Sequence, residues 1–141
     1  DMHGEKAPAV HVIEGEGGMT PGRVAEALAS AATSGLDNFY FHVDWNQASI
    51  DSNAVTRDGA EAGEYVQWDP CDFLLMHGFN VIYVPDGFDF AQIREAQKQA
   101  AALNNGRPTG IVSRTVKVWQ YGIEGAKSHG AGHGFYSPEY L

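Results

Sequence analysis

An acidic side chain in a glycine-rich turn and an amide side chain thirty positions later have the most distinctive chemistry in this sequence. Gly15-Glu16-Gly17-Gly18 follows one apolar run, and Asn46 follows another. The Glu16 carboxylate, the Asn46 amide and a nearby backbone carbonyl are hard oxygen ligands, which suit Mg²⁺ or Ca²⁺ with phosphate oxygens completing the shell. Glycines in such a turn also let a phosphate approach the backbone. These residues therefore predict a site for a cation and a phosphate group.

Both features also have a simpler interpretation. The turn lacks the third glycine of a dinucleotide fingerprint and the lysine of a P-loop, so it can be a plain turn with Glu16 as a solvated carboxylate. Asn46 can be the first residue of an Asx-turn. Taken singly, neither residue decides between a ligand role and a structural one, and the prediction depends on whether the fold brings them together.

Alternating strand and helix patterns predict how these residues are positioned. Strands are expected over 9–13, 38–45, 79–85 and 108–116. Helices are expected over 64–77, over 90–103, and after Thr20 as N-cap with Pro21 at the first helical position. This order predicts an α/β fold, a parallel sheet flanked by helices. Because the carboxyl ends of parallel strands lie at one edge of the sheet, Glu16 and Asn46 are expected to meet there.

The chain is expected to form one domain with an irregular ending. Residues 1–117 carry the strand and helix patterns, and residues 118–141 form a glycine-rich tail of the same domain. His11 and His42 lie inside strand patterns and are expected to be satisfied core histidines. A long polar loop, 46–63, follows the second strand, and loops of that length are usually functional.

Composition excludes several classes of partner. The 141 residues include 18 acidic and 9 basic side chains, with a formal charge of −9, which argues against nucleic acid and anionic membranes as partners. No apolar run reaches the length of a membrane span. The lone Cys71 cannot form an internal disulfide, and residues 1–9 lack the blocks of a signal peptide, so a cytoplasmic location is expected.

Several motifs, in order and spacing, resemble those of the transketolases among the thiamine-diphosphate enzymes. Gly15-Glu16-Gly17 and Asn46 resemble the family signature of Gly-Asp-Gly, about thirty residues, then Asn. The stretch Asp44-Trp45-Asn46-Gln47-Ala48-Ser49-Ile50-Asp51 resembles the family's Asp-x-Asn-Gln-x-(Ser/Thr)-Ile-Asp. Residues 78–90 and 106–117 resemble two further family motifs. The resemblance covers nearly all of the chain and implies the diphosphate domain of the thiamine-diphosphate-binding fold, in an incomplete form.

The resemblance also implies a cofactor and its ligands. Thiamine diphosphate would bind with Mg²⁺ (or Ca²⁺), which Glu16, the Asn46 amide and the Ala48 carbonyl would hold. Gly15 and Gly17 would lie against the diphosphate. Three positions depart from the family pattern: Glu16 replaces an aspartate, Pro21 replaces an interface glutamate, and Val118 replaces a glycine.

Catalytic roles follow from the same resemblance. Glu26 lies where the family has a glutamate in a carboxylate chain across the dimer interface, and a solvated helix carboxylate is the alternative. His133 resembles a histidine near the diphosphate and substrate, with His129 as its competitor because the local alignment can slip. For both histidines, a tail residue without a role in the site remains the alternative.

The implied activity is transfer of a two-carbon ketol unit between sugar phosphates. The implied partners are a sugar-phosphate substrate and a pyrimidine-binding domain or complementary chain, with a homo-oligomer in the intact protein. Two alternatives remain: the first component of a homodimeric 2-oxo-acid dehydrogenase, and a truncated non-catalytic module that binds a partner chain. Because the pyrimidine half is not recognisable in this sequence, the isolated chain is expected to be inactive.

Overall fold

The structure, a computed structural model, describes residues 7–130 of the chain. A single parallel sheet organises this part of it. The elements in chain order are β1 (Val10–Gly15), α1 (Gly22–Thr33), β2 (Phe39–Trp45), α2 (Pro70–Met76), β3 (Asn80–Val84), α3 (Phe90–Ala102) and β4 (Thr109–Arg114). The strands pair in the order β1-β2-β4-β3, and every pairing is parallel. The predicted α/β fold with a helix-flanked parallel sheet is confirmed, and each strand lies within two residues of its predicted bounds.

The two faces of the sheet bury separate apolar layers. On one face, α1 and α2 pack around alternate residues of β2, and that layer includes Leu28, Phe41, Val43, Trp45, Phe73 and Leu74. On the other face, Ala96 and Ala100 of α3 pack against Val84 and Ile111. The alternation along β2 follows from the two-residue period of a strand. The carboxyl ends of β1 and β2 are held side by side by this core.

The helix starts differ from those predicted. α1 begins at Gly22 with Pro21 as its N-cap, because the Thr20 hydroxyl, the predicted cap, donates instead to the Gly17 carbonyl at 2.9 Å. That bond closes a short 3-10 helix, Glu16–Met19. The Glu16 side chain therefore lies at the junction of β1 and this tight turn.

The predicted helix over 64–77 was wrong at its start. α2 begins at Pro70, and Asp69 caps it by accepting a hydrogen bond from the Asp72 backbone N–H at 2.9 Å. Proline suits the first position of a helix because its missing N–H has no helical partner there. The preceding residues therefore belong to the long loop that faces the site.

The expectation that His11 is a core histidine was wrong. β1 is an edge strand, and Val10 and Ile13 on it are 47% and 78% exposed. α3 packs mainly over β3 and β4, so the face of β1 on that side is open. His11 is exposed and His42 is half-buried, and their ring nitrogens lie 2.9 Å apart.

Beyond β4, residues 118–130 are irregular apart from a short 3-10 helix, Gly125–Ser128. This segment is tied to the long loop, where Asn53 Oδ1 accepts from the Ala126 backbone N–H at 2.7 Å. Across residues 7–130, no helix combines the length and apolarity that crossing a bilayer requires.

Candidate functional site

The ends of β1 and β2 bring Glu16 and Asn46 together. Gly15 and Asp44 are paired across the two strands, so the residues that follow leave the sheet side by side. The Asn46 backbone N–H donates to Glu16 Oε2 at 3.1 Å. The juxtaposition predicted from the positions of the two residues after the carboxyl ends of parallel strands is therefore present.

The Glu16 carboxylate is buried with one oxygen unpartnered. Glu16 is 1% exposed, and its Oε1 has no hydrogen-bond partner among the described residues. Burial raises the pKa of Glu16 above its ordinary value of 4.5, and the nearby Asp44 charge raises it further, although backbone N–H groups of Glu16 and Asn46 oppose this. A bound cation would supply the partner that Oε1 lacks and would favour the ionised form.

Asn46 is both an Asx-turn residue and an available oxygen ligand. Its Oδ1 accepts from the Ala48 backbone N–H at 2.9 Å, and its Nδ2 donates to Asp44 at 2.8 Å. The structural alternative for Asn46 is thus realised. An amide oxygen has two lone pairs, so this turn orients Oδ1 and leaves one lone pair for a cation.

A cavity of about 470 Å³ gathers most of the predicted site residues. Its walls include Glu16, Gly17, Asn46 and Ala48, together with Lys117 and His129. A methyl group at the Gly17 Cα would meet no described atom within 4 Å, so open space lies beside this backbone. Between residues 7 and 130, no three His, Cys, Asp or Glu side chains form a metal cluster. A cation beside Glu16 would therefore depend on amide and carbonyl oxygens for its other protein ligands.

Comparisons with known proteins decide the family. A family model described as "Transketolase, thiamine diphosphate binding domain" matches residues 5–136. This chain belongs to that transketolase family. The curated transketolase of Physarum polycephalum is 27% identical over 125 residues, which are 89% of this chain and 17% of the relative.

Solved transketolases share the fold of this transketolase-family domain. The structure from Campylobacter jejuni superimposes with a TM-score of 0.72 at 24% identity over 86% of this chain. The structure from Leishmania mexicana gives 0.61 at 29% identity over 75% of it. The chain spans 18% and 15% of those two proteins, so it is similar to a small part of each.

Lys117 was missed as a site residue from the sequence, although it lies in the Thr115-Val116-Lys117 motif. Its ammonium lies 2.7 Å from Nδ1 of His129. Because an ammonium can only donate, His129 accepts at Nδ1 and carries its own hydrogen on Nε2. The transketolase-family domain thus places a cation and an imidazole in the cavity that the acidic turn also lines.

Glu26 is the predicted site residue that the structure places away from this cavity. Glu26 is exposed on α1 and does not line the cavity. In the single chain it is therefore a solvated helix carboxylate, the alternative given for it above. His133 lies outside the described residues. His129 is the tail histidine that the structure places at the cavity, and the choice between the two histidines stays a prediction.

Val118 occupies the left-handed backbone region at the point where the family motif has glycine. We expect Val118→Gly to raise the free energy of unfolding by up to about 1.5 kcal/mol. The φ of Val118 is 57°, which costs a side-chain-bearing residue roughly 1–2 kcal/mol, and the greater freedom of unfolded glycine offsets about 0.5–1 kcal/mol of the gain. Urea denaturation measures the difference.

Val116→Gly is the matched control, since Val116 is similarly exposed, at 41% against 39%, but has no positive φ. This control should lower the free energy of unfolding. Equal destabilisation by both substitutions would show that Val118 is not strained.

Gln47 braces the loop that carries Asn46 and Ala48. Its Nε2 donates to the Thr56 carbonyl at 3.0 Å, and its Oε1 accepts from the Thr56 N–H at 2.9 Å. Both residues are buried. Gln47→Ala would leave two buried backbone groups without partners, so we expect the free energy of unfolding to fall by about 2–4 kcal/mol.

Thermal and urea denaturation test the Gln47 prediction against Gln67→Ala. Gln67 is exposed and makes one hydrogen bond, to the Gly63 carbonyl, so its loss should cost about 1 kcal/mol or less. If Gln47→Ala costs no more than this control, the loop is not held by Gln47.

Proposed function

We propose that this chain is the diphosphate- and metal-binding portion of a transketolase-like enzyme that transfers a two-carbon ketol unit between sugar phosphates. The observation that carries the proposal is the buried Glu16 carboxylate, whose Oε1 is unpartnered, beside open space at Gly17. The family membership and the shared fold support it.

The donor set fits the magnesium–diphosphate group that the family uses. Glu16 Oε1, Asn46 Oδ1 and the Ala48 carbonyl would hold Mg²⁺ (or Ca²⁺), because such cations take carboxylate, amide and carbonyl oxygens. Glu16 is one methylene longer than the aspartate of the family motif, and its Oε2 is already fixed by Asn46. The longer arm therefore still presents a defined oxygen to a cation.

The chain's own cationic groups balance the anion. The net charge of −9 disfavours a bare diphosphate, so a divalent cation at Glu16 and the Lys117 ammonium are both needed to offset repulsion. Lys117 also fixes the tautomer of His129, whose Nε2–H is a hydrogen-bond donor for an anionic oxygen. Thiamine diphosphate, when bound, supplies the carbon nucleophile for breaking and making a carbon–carbon bond.

The rest of the enzyme would complete the site. A pyrimidine-binding domain, from the remainder of the protein or from a complementary chain, would hold the other end of the cofactor, and the intact protein would be a homo-oligomer. The sugar-phosphate substrate would bind between the two parts. This chain's share of the reaction is to anchor the diphosphate and exclude water around it.

Cofactor binding to the purified chain tests this proposal. Calorimetric titration with thiamine diphosphate should show binding in the presence of Mg²⁺ and at least tenfold weaker binding in EDTA. Inorganic diphosphate should compete, and thiamine without phosphate should not. Glu16→Gln should bind in Mg²⁺ about as weakly as the unaltered chain does in EDTA. Glu95→Gln, an exposed change on α3, is the charge-matched control and should bind as the unaltered chain does. Binding that is equal with and without the cation would refute the proposed role of Glu16.

A further inference from the structure

Two histidines on neighbouring strands form a pair that the proposed diphosphate site does not use. His11 Nδ1 on β1 and His42 Nε2 on β2 lie 2.9 Å apart. The Tyr40 ring stacks on His11 with 4.9 Å between ring centroids, and both histidines are anchored on paired strands. The paired strands therefore hold the two nitrogens close together.

Space for an ion and its waters lies beside the pair. A cavity of about 160 Å³ separates the pair from α3, and His11, Tyr40, His42 and Gln97 line it. A water takes up about 30 Å³ in the liquid, so the volume holds an ion with a few waters. His11 is exposed, which gives an ion access from solvent.

The spacing of the two nitrogens matches that of adjacent ligands on a transition metal. Two imidazole nitrogens bound at right angles, each at about 2.0–2.1 Å, lie about 2.9 Å from one another. A site made of imidazoles selects nickel, copper or zinc over magnesium and calcium, which take oxygen ligands.

We infer that His11 and His42 form a bidentate site for a divalent transition-metal ion on the open face of β1 and β2. Both rings turn so that their lone pairs meet at the ion, and each keeps one hydrogen, on His11 Nε2 and His42 Nδ1. The neutral pair already holds two ring hydrogens, so binding releases no proton. Water fills the remaining positions of the ion, and the hydrogen bond between the rings is the metal-free state.

The first test uses the unaltered chain and Ni²⁺ at pH 7.5, with excess Mg²⁺ present to saturate oxygen sites. Paramagnetic Ni²⁺ should broaden the amide NMR signals of residues 9–13 and 40–43 at the lowest metal concentrations. Zn²⁺ should reverse the broadening, whereas further Mg²⁺ should not. Broadening that begins elsewhere and spares these two strands would overturn the proposal.

Substitutions provide the second test. His11→Gln and His42→Gln should each weaken Ni²⁺ binding at least tenfold in calorimetric titrations, because one imidazole alone loses the chelate. His77→Gln is the control, since His77 lies on a different part of the fold and contacts the Phe73 carbonyl. It should change the affinity less than twofold. Unchanged affinity in a folded His11→Gln/His42→Gln double variant would contradict the assignment, and the broadening experiment decides the matter if the variants do not fold.

Discussion

Glu16→Gln should stabilise the cofactor-free chain and abolish its cation-dependent affinity for thiamine diphosphate. The substitution keeps the shape of the side chain and the oxygen that accepts from the Asn46 N–H, but it removes a buried charge with an unpartnered oxygen. We expect the free energy of unfolding to rise by about 1–2 kcal/mol at pH 7. Affinity in the presence of Mg²⁺ should fall by about 100-fold, which corresponds to about 2.7 kcal/mol.

The pH dependence of the free energy of unfolding shows whether the ionised Glu16 carboxylate stabilises or destabilises the fold. Because the pKa of Glu16 is raised in the folded state, the folded chain holds more protons than the unfolded chain between 4.5 and the raised value. The contribution of Glu16 to the free energy of unfolding is fully present below pH 4.5. It is lost as the pH rises from 4.5 through the raised pKa of the folded state. The glutamine variant should lack this loss, and saturating Mg²⁺ with diphosphate should offset it in the unaltered chain. Urea denaturation at several pH values measures both.

An outcome opposite in sign would contradict this account of Glu16. If Glu16→Gln lowers the free energy of unfolding at pH 7 and leaves cofactor affinity intact, the carboxylate is a structural group and not a ligand. Glu95→Gln is again the control, because it changes the net charge equally on an exposed part of α3 and should alter neither quantity appreciably.

The isolated chain should show no measurable ketol transfer, even with Mg²⁺, thiamine diphosphate and sugar phosphates. In the proposed function a pyrimidine-binding domain holds the other end of the cofactor, and this chain spans only 17% of the curated relative from Physarum polycephalum. Under the proposed function, the purified chain alone would lack the contacts to the pyrimidine, and orientation of the cofactor accounts for much of the catalysis. A coupled ketol-transfer assay on the purified chain measures this.

Complementation distinguishes an incomplete site from a wrong assignment. Adding a chain that carries the pyrimidine-binding domain should raise turnover if the two parts assemble, and the same mixture with Glu16→Gln should remain inactive. Turnover by the chain alone would show that it is more than half of a site. Turnover by the mixture that contains Glu16→Gln would show that the reaction does not depend on a cation held by Glu16.

The fold was largely predictable because its signals are local. The alternating pattern of β2 follows from one buried residue in every two, and the parallel order follows from helices between strands. The start of α2 was not predictable from the helical pattern, because the Asp69 cap and Pro70 compete with an apolar pattern that begins earlier. The open face beside His11 was also missed, since exposure depends on where α3 packs and not on the residues of β1.

The site was predictable only in part, because some of its contacts join residues that are distant along the chain. The ends of two neighbouring parallel strands must meet, so the placement of Glu16 beside Asn46 follows from the sequence. The chain turns after β4, where Val118 takes a positive φ, and His129 lies farther along the chain yet beside Lys117. A β-branched residue in that conformation is not expected from sequence, so the contact between Lys117 and His129 had no local signal.

The most direct test of the account is a crystal structure of the chain grown with Mn²⁺ and thiamine diphosphate. Anomalous scattering locates Mn²⁺ without reference to the protein density. We expect one strong peak at about 2.0–2.6 Å from Glu16 Oε1, with the Asn46 Oδ1 and the Ala48 carbonyl in the same shell and the diphosphate on its open side. An ordered diphosphate without a peak beside Glu16, or a peak elsewhere with Glu16 unbound, would contradict this expectation.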